Sequence, residues 1–456
     1  MIEIEQTAMW ADVKKIFDDP EKPVKYEWSA TMHTVDEDFD VAKLITVDSV
    51  RDYVNKITHR THVEMVMPLG DYVKRLYPYR DNMELTLRRI RLCESGEAIY
   101  PGAVPEEERY KAVFLVNVNK NIRGGEYDSF DKNSLDLMEL VTVKLQLLQL
   151  FFEPVRIKTV GGVFKNCTPE QIIRGVMGGE SLLIEADGKP VVQAIDVVAP
   201  DNTDKRAQYV FPHNTPYWSV PTLVQERMGG VYSSGIGTYF QVFREKKTWF
   251  IYPLYNTKRF KEDVYKVIFF SVPKQRFTGV ERTYRVEDKI TYIACTSDKN
   301  YSDSGETDLM DSGSGFRMAD ARAFMKKPVE MTEEGPVGAR GRLNFEIAIK
   351  DRPDGLNYAP KAEVEISSNP FAQTSRVIAR AGARIDLTWE NSVPQLLYPG
   401  MPAKFCYMLK DKLKEVEGVV LFAHTVIQQA GTGFNIRAYK TTTQITLFVS
   451  GIYNES

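Results

Sequence analysis

The chain reads as mainly β with a smaller α+β part, on three observations. Polar and apolar residues alternate through the last seventy-five residues, as in Arg384-Ile-Asp-Leu-Thr-Trp389 and Thr443-Gln-Ile-Thr-Leu-Phe-Val449. The same alternation recurs within residues 40–150, as in Asn82-Met-Glu-Leu-Thr-Leu-Arg88. Capped helix signals are confined to a middle stretch. Side chains on a strand alternate faces, so each alternating segment carries one buried and one polar face. That pattern suits barrels or half-solvated antiparallel sheets, which present surfaces.

Taken in order, residues 1–39 read as an N-terminal arm, acidic and Pro-containing. Residues 40–150 read as a compact β domain. In it His62–Met67 alternates up to Pro68-Leu-Gly70, Asp71–Pro78 is a short helical connector, and Met83, Leu85 and Leu87 point inward. Ala112–Val118 is a mostly apolar, central-strand run. Gly124-Gly125 marks a turn, and Val141, Val143, Leu145 and Leu147 form another inward stripe.

Residues 151–295 read as an α+β module. Thr168-Pro-Glu-Gln171 is a helix start, with Thr as N-cap, Pro at N1 and Gln at N3, opening a helix Pro169–Met177 that stops at Gly178-Gly179. A second helix, Val220–Met228, stops at Gly229-Gly230 and leads into two aromatic strands, Thr248–Pro253 being the second. Apolar periodicity is lost across 296–340, read as a flexible loop with a short helix at Met318–Met325. The last block, 341–456, opens on Arg342-Leu-Asn-Phe-Glu-Ile-Ala-Ile349, the cleanest alternation in the chain, and holds strands near Lys404–Leu409, Gly418–Val426 and Ile445–Val449.

Composition narrows the function classes. At 456 residues, 43% apolar and 27% charged, the chain has material for several folded domains. A net charge of -3 gives no global basic field to recruit nucleic acid. No run of 18 uninterrupted apolar residues predicts membrane insertion, and the N-terminus lacks the basic and apolar regions of a signal peptide. The four cysteines (Cys93, Cys167, Cys295, Cys406) are too widely spaced for a zinc or redox motif and read as reduced structural thiols.

No catalytic, cofactor-binding or metal residue is assigned, and the chain is expected not to be an enzyme. Of the five histidines, His59 and His62 sit three apart but lack a third ligand. His424 shares a strand face with Phe422 and Val426, and His213 belongs to a turn-like run. The acidic tract Asp298–Gly305 imitates a calcium loop, yet its glycine is misplaced and Leu309 occupies the bidentate Glu position. Gly229–Gly237 and Gly313–Gly315 lack the Lys-Ser/Thr of a P-loop. Phe243–Phe250, aromatic and basic, reads as a hairpin with a charged turn at Arg244–Lys247, although such a stretch can also stack bases.

The order of blocks, together with short motifs, resembles the baseplate hub proteins of contractile phage tails. The motifs are Leu397-Tyr-Pro-Gly-Met-Pro402, Lys404–Leu409, Glu417–Thr425, Gly431-Thr-Gly433 and Ile445–Val449 near the end. In the middle they are Tyr217–Gly230 and Trp249-Phe-Ile-Tyr-Pro253, and near the start Met67–Tyr72 and Arg80–Leu87. The resemblance implies two tube-type antiparallel β barrels flanking the α+β module. It implies a homotrimer whose six barrels form a ring between a six-fold tail tube and a three-fold spike, with DNA passing only as cargo. Implied partners are the tail-tube (initiator) protein, the central spike, and wedge and tape-measure proteins. The implied location is the virion tail baseplate, assembled in the host bacterial cytoplasm. The polar faces Glu64, Glu84, Thr86, Arg88 and Arg384, Asp386, Thr388 would meet a lumen or a partner. Other readings are another tail or baseplate subunit, a tail-associated peptidoglycan hydrolase, or a carbohydrate-binding module on a tail tip.

Overall fold

The computed structural model describes residues 8–18, 26–92, 106–115, 140–181, 185–186, 189–244, 246–273, 282–296, 300–303, 316–317, 345–346, 383–409, 412–431 and 438–449. Helix α1 (Ala8–Phe17) precedes the first set of strands: β1 (Tyr26–His33), β2 (Asp38–Asp40), β3 (Lys43–Asp52), β4 (Arg60–Pro68), β5 (Met83–Arg91), β6 (Glu106–Phe114) and β7 (Leu140–Gln149). The middle holds β8 (Thr159–Cys167), α2 (Pro169–Ser181), β9 (Ala194–Val197), β10 (Arg206–Pro216), α3 (Val220–Arg227), β11 (Ile236–Phe243) and β12 (Lys246–Pro253). The last set is β13 (Lys266–Ser271), β14 (Tyr284–Glu287), β15 (Ile290–Cys295), β16 (Asn300–Asp303), β17 (Ala383–Glu390), β18 (Pro402–Leu409), β19 (Lys412–Gln429) and β20 (Tyr439–Val449). The fold is mainly β, with a small helical part.

One sheet contains both β blocks, in the order β14-β15-β13-β18-β19-β3-β4-β7-β6-β5-β1-β20-β17-β16. Because β19 also pairs with β20, hydrogen-bonded strands run in a closed circuit through β19, β3, β4, β7, β6, β5, β1 and β20. The circuit closes on a single pair, Tyr26 with Tyr439. Inside it lies an apolar core of Met32, Val63, Met65, Met83, Leu85, Leu87, Val143, Leu145 and Leu147, with Ile427 contributed from β19.

A second core lies beneath β13, β15, β17, β18, β19 and β20, built on Phe269, Ile293, Ile385, Leu387, Trp389, Phe405, Val420, Ile445 and Leu447. The long strand β19 serves both. Its first part pairs with β18 and its later part with β3, while β20 follows it along Gly418–Gln429. The first circuit is closed and so leaves no free edge of its own, whereas the strands over the second core run out to β14 at one end of the sheet and β16 at the other.

Strand pairing crosses the segment limits read from the sequence. β1 lies within the segment read as an arm, and β13, β14 and β15 lie within the segment read as an α+β module. Among the described residues pairing is antiparallel except at β13, which runs parallel to both β15 and β18, at β9 on β12, and between the short strands Phe316–Arg317 and Phe345–Glu346. Of the run read as Ala112–Val118, residues 112–114 end a longer strand that starts in the charged stretch at Glu106, and residues 116–118 lie outside the described residues. Val113 on that strand faces solvent.

The reason β13 and β15 read poorly by alternation is burial on both faces. α1 lies across their outer side, where Met9, Val13 and Ile16 pack on Phe270, Val272, Ala294 and Cys406. On the shared wall, Val419, Leu421 and Phe448 are likewise buried on the outer side, against Val54 and Tyr255. Such strands read as continuous apolar runs.

The middle segment forms a third core around Phe152, Ile173, Met177, Tyr217, Val224, Phe240 and Trp249. Thr168 and Gln171 form the expected reciprocal cap: Gln171 N donates to Thr168 Oγ1 at 3.2 Å, and Thr168 N donates to Gln171 Oε1 at 3.0 Å. The helix does not stop at Gly178-Gly179, but continues to Ser181. Two glycines cost only about 2 kcal/mol of helix propensity, which burial of Ile172, Ile173, Val176 and Met177 offsets. The second helix ends at Arg227, one residue before the expected Met228. The expected helix at Met318–Met325 and the turns at Gly124-Gly125 and Gly431–Gly433 lie wholly or partly outside the described residues. Of Arg342–Ile349 only Phe345–Glu346 is described, as a short strand.

Candidate functional site

The outward polar faces of the closed barrel and of the strands over the second core, and the junction that ties both to the middle segment, are the features with functional geometry. On the first barrel, Glu84 meets Arg109 at 2.6 Å, Arg88 meets Glu107 at 2.7 Å, and Arg89 pairs with Glu106. Lys144 lies 3.5 Å from Glu64, and Lys111 is 2.8 Å from Glu153. Glu84–Arg109, Arg88–Glu107 and Glu64–Lys144 are cross-strand neighbours on the outward face, where the alternation itself places opposite charges side by side, whereas Arg89–Glu106 lies on the opposite face of β5 and Glu153 belongs to a short helix. Thr86 is buried on the outward face, because the His33 ring lies 2.8 Å from its hydroxyl. Over the second core, Thr446 donates to Asp386 at 2.6 Å and Thr388 faces Gln444 across the strands. The first barrel thus presents paired opposite charges, while the Asp386 carboxylate is held by a neutral hydroxyl.

Two of the five histidines, His62 and His424, flank the same carboxylate, Asp48, and the other three lie apart from them. His33 lies 2.8 Å from Asp38, and His424 lies 2.8 Å from Asp48 across the β19–β3 seam. His62 sits opposite Asp48 in the register. Desolvation, then the Arg51 charge, pushes His59 down to about 3, so it is a neutral ring at physiological pH. His213 lies over Gly161 in the irregular part of the β8–β10 ribbon. Among the described residues no cluster of His, Cys, Asp and Glu could hold a metal ion. Within the acidic tract Asp298–Gly305, residues Asn300–Asp303 form β16 and pair with Asp386–Ala383. The glycines at 313–315 lie outside the described residues. Cys167, Cys295 and Cys406 are free thiols, and burial pushes Cys406 up to about 12. No helix among the described residues is long and apolar enough to cross a membrane.

The Gly-rich run at 229–237 ends α3. Gly229 and Gly230 have φ of 95° and 85°, and buried Gln225 accepts from the backbone N–H of Val231 and Tyr232 at 2.9 and 3.0 Å. A side chain therefore occupies the amides that a phosphate would need. The charged turn at Arg244–Lys247 connects β11 to β12 as a hairpin. Arg244 lies over the Tyr265 ring at 3.9 Å, so its cation is stacked on protein.

Two of the sequence motifs meet in space. Leu397-Tyr-Pro-Gly-Met-Pro402 is held by side chains from every part of the chain. Arg51 Nη1 donates to Pro394 O at 2.6 Å, Gln241 Nε2 to Leu397 O at 3.2 Å, and Arg259 Nη1 to Gly400 O at 3.2 Å. The Tyr398 hydroxyl donates to Tyr265 O at 2.6 Å. Tyr252, from Trp249-Phe-Ile-Tyr-Pro253, fills the space beside Gly400 and Gly237. Sequence reasoning missed Arg51, Gln241, Tyr252 and Arg259 as junction residues, since each partner lies over a hundred residues away. Beside the Tyr26–Tyr439 closure lies a cleft of about 260 Å³ lined by Trp28, Arg89, Tyr284 and Lys440.

No family model matches the chain, and no curated protein matches it. Among solved structures, a tail protein from Neisseria meningitidis MC58 aligns at 8% identity and TM-score 0.43, over 94% of this chain and 98% of its own. The 43 kDa tail protein of prophage MuSo2 from Shewanella oneidensis aligns at 11% identity and TM-score 0.43, over 92% and 96%. The E. coli c3393 protein, a type VI secretion component described as similar to the phage T4 tail proteins gp27 and gp5, aligns at 10% identity and TM-score 0.38, over 88% and 73%. At these identities and TM-scores the likenesses carry no functional inference.

Proposed function

We propose that this chain is a structural protein of a phage tail baseplate, a hub that assembles as a homotrimer between a six-fold tail tube and a three-fold spike. The observation that carries this reading is a single sheet that covers two apolar cores. The first core lies inside a closed circuit of strands and the second shares its wall β19–β20, so a single chain offers two β modules in fixed relation. Three such chains give six modules, which is what an adapter between six-fold and three-fold partners requires. The resemblance of the motifs to those of hub proteins supports the same reading, and so does the contact of Leu397–Pro402 with Tyr252. The outward ion pairs of the first barrel balance their charges, which suits a channel through which DNA passes without being held. The role is non-enzymatic; the partners are a tube protein and a spike, and the site of action is the virion tail.

Electron microscopy of the purified chain, alone and with its tube and spike partners, tests this directly. A three-fold ring with an axial hole is expected. A chain that stays monomeric in both settings overturns the hub.

A further inference from the structure

The ribbon β8–β10 stands apart from the large sheet, since the two strands pair only with each other among the described residues. Two-stranded ribbons are marginal by themselves. Here Tyr209 and Phe211 anchor one face on the middle core. The opposite face carries Val163 directly across from Val210, at 54% and 47% exposure, with Lys165 across from Gln208 and Arg206 across from Cys167. Residues 158–167 and 205–216 contain Lys158, Lys165, Lys205 and Arg206 and no carboxylate. An exposed apolar pair within a cationic rim is a contact surface whose partner must be apolar and acidic.

The same chain carries that complement. The β1–β2 turn presents Val35 at 70% exposure, within Asp36, Glu37, Asp38 and Asp40. The turn is rigid: Thr34 Oγ1 donates to Glu37 O at 2.8 Å and accepts from Glu37 N at 3.2 Å. Arg75 pairs with Glu37, and Tyr79 donates to Asp36. Asp38, although paired with His33, and Asp40, 4.0 Å from Arg88, keep side chains 66% and 80% exposed.

The two patches leave the first barrel from opposite rims. Each strand of the series β1, β5, β6, β7, β4 and β3 is antiparallel to the next. The β1–β2 turn follows the end of β1 at one rim, and the middle segment follows the end of the antiparallel β7 at the other. A strand of eight to ten residues is roughly 30 Å long, so the patches are poised to meet between copies.

We propose that the β8–β10 ribbon docks on the β1–β2 acidic turn of a second copy of this chain, as a head-to-tail contact that closes into a ring. Such heterologous contacts close or run on as filaments. The proposal rests on the homo-oligomeric part of the hub reading and names the surfaces that make it.

Sedimentation velocity of the full chain up to about 100 μM tests it with three variants, each checked for an unchanged thermal melt. Lys165→Glu with Arg206→Glu, and separately Asp36→Lys with Asp38→Lys, should each weaken association at least tenfold. The four changes together should restore it, because the charges are exchanged across the same contact. Association unaffected by either pair overturns this contact and leaves the hub standing. A wild-type chain that never associates also overturns the contact, and microscopy with the tube and spike partners then decides the hub separately. Loss of duplex-DNA binding in the ribbon variant, with association unchanged, would reassign the ribbon to nucleic acid and likewise overturn the proposal.

Discussion

The hydroxyl of Tyr252 donates to the backbone carbonyl of Tyr53 at 2.6 Å, across 199 residues of sequence. Both residues are buried, and the Tyr53 ring meets Tyr239 edge-on at 4.9 Å. This bond joins the seam after β3 to the aromatic strand β12, and so fixes the middle segment on the barrels. Tyr252→Phe leaves a buried carbonyl unsatisfied and should cost about 1–3 kcal/mol, read as a lowered urea midpoint with the slope unchanged.

Gly400 faces the same ring. Its φ is +68°, and a Cβ there would fall inside Tyr252. Gly400→Ala combines left-handed backbone strain with overpacking and should cost about 3 kcal/mol or more. Its urea midpoint should fall further than that of Tyr252→Phe; an equal or smaller drop would mean the turn at 398–401 relaxes away from the ring.

The first barrel is completed by strands far along the chain, so it should not survive alone. Ile427, on β19, sits in the first-barrel core. Ile427→Ala should destabilise by about 2–4 kcal/mol, and a fragment of residues 1–150 should show no dispersed amide spectrum. A well-dispersed spectrum from that fragment would show that β19 and β20 are dispensable to it.

His59 makes stability fall with acid. Its pKa is about 3 in the folded chain against 6.5 unfolded, so the unfolded state binds the proton first as pH drops. The contribution is complete above pH 6.5 and is lost progressively toward pH 3, at up to about 1.4 kcal/mol per pH unit. Chemical denaturation between pH 7 and 4 should show a shallower loss for His59→Asn than for the parent chain.

The exposed ladders should matter little to stability. Arg88→Ala and Arg109→Ala should each shift unfolding by less than about 1 kcal/mol, because exposed pairs are screened by water. A zymogram on peptidoglycan should show no clearing by the isolated chain; clearing would replace the structural reading with a hydrolase.

Much of the β architecture was legible because alternation is a local signal. Ile385, Leu387 and Trp389 face inward, as do Met83, Leu85 and Leu87, and their register partners follow from that. The Thr168–Gln171 cap was legible for the same reason, being four residues long. The strands β13 and β15 were not, because burial on both faces by α1 erases the alternation. Nor was the junction, since Arg51, Gln241, Tyr252 and Arg259 satisfy carbonyls and fill space across gaps that no local pattern spans.

The sequence by itself therefore determined the alternating strands and which face each of them turns inward, since the period of two is written into neighbouring residues. Only the tertiary structure decided that the two β blocks are one sheet. The length of β19 let it pair with β18 at one end and β3 at the other, and the side chains that seat Leu397–Pro402 fixed the module beside it. Those are choices among distant partners, made by burial and by the need to satisfy buried carbonyls, and they exist only once the chain has folded.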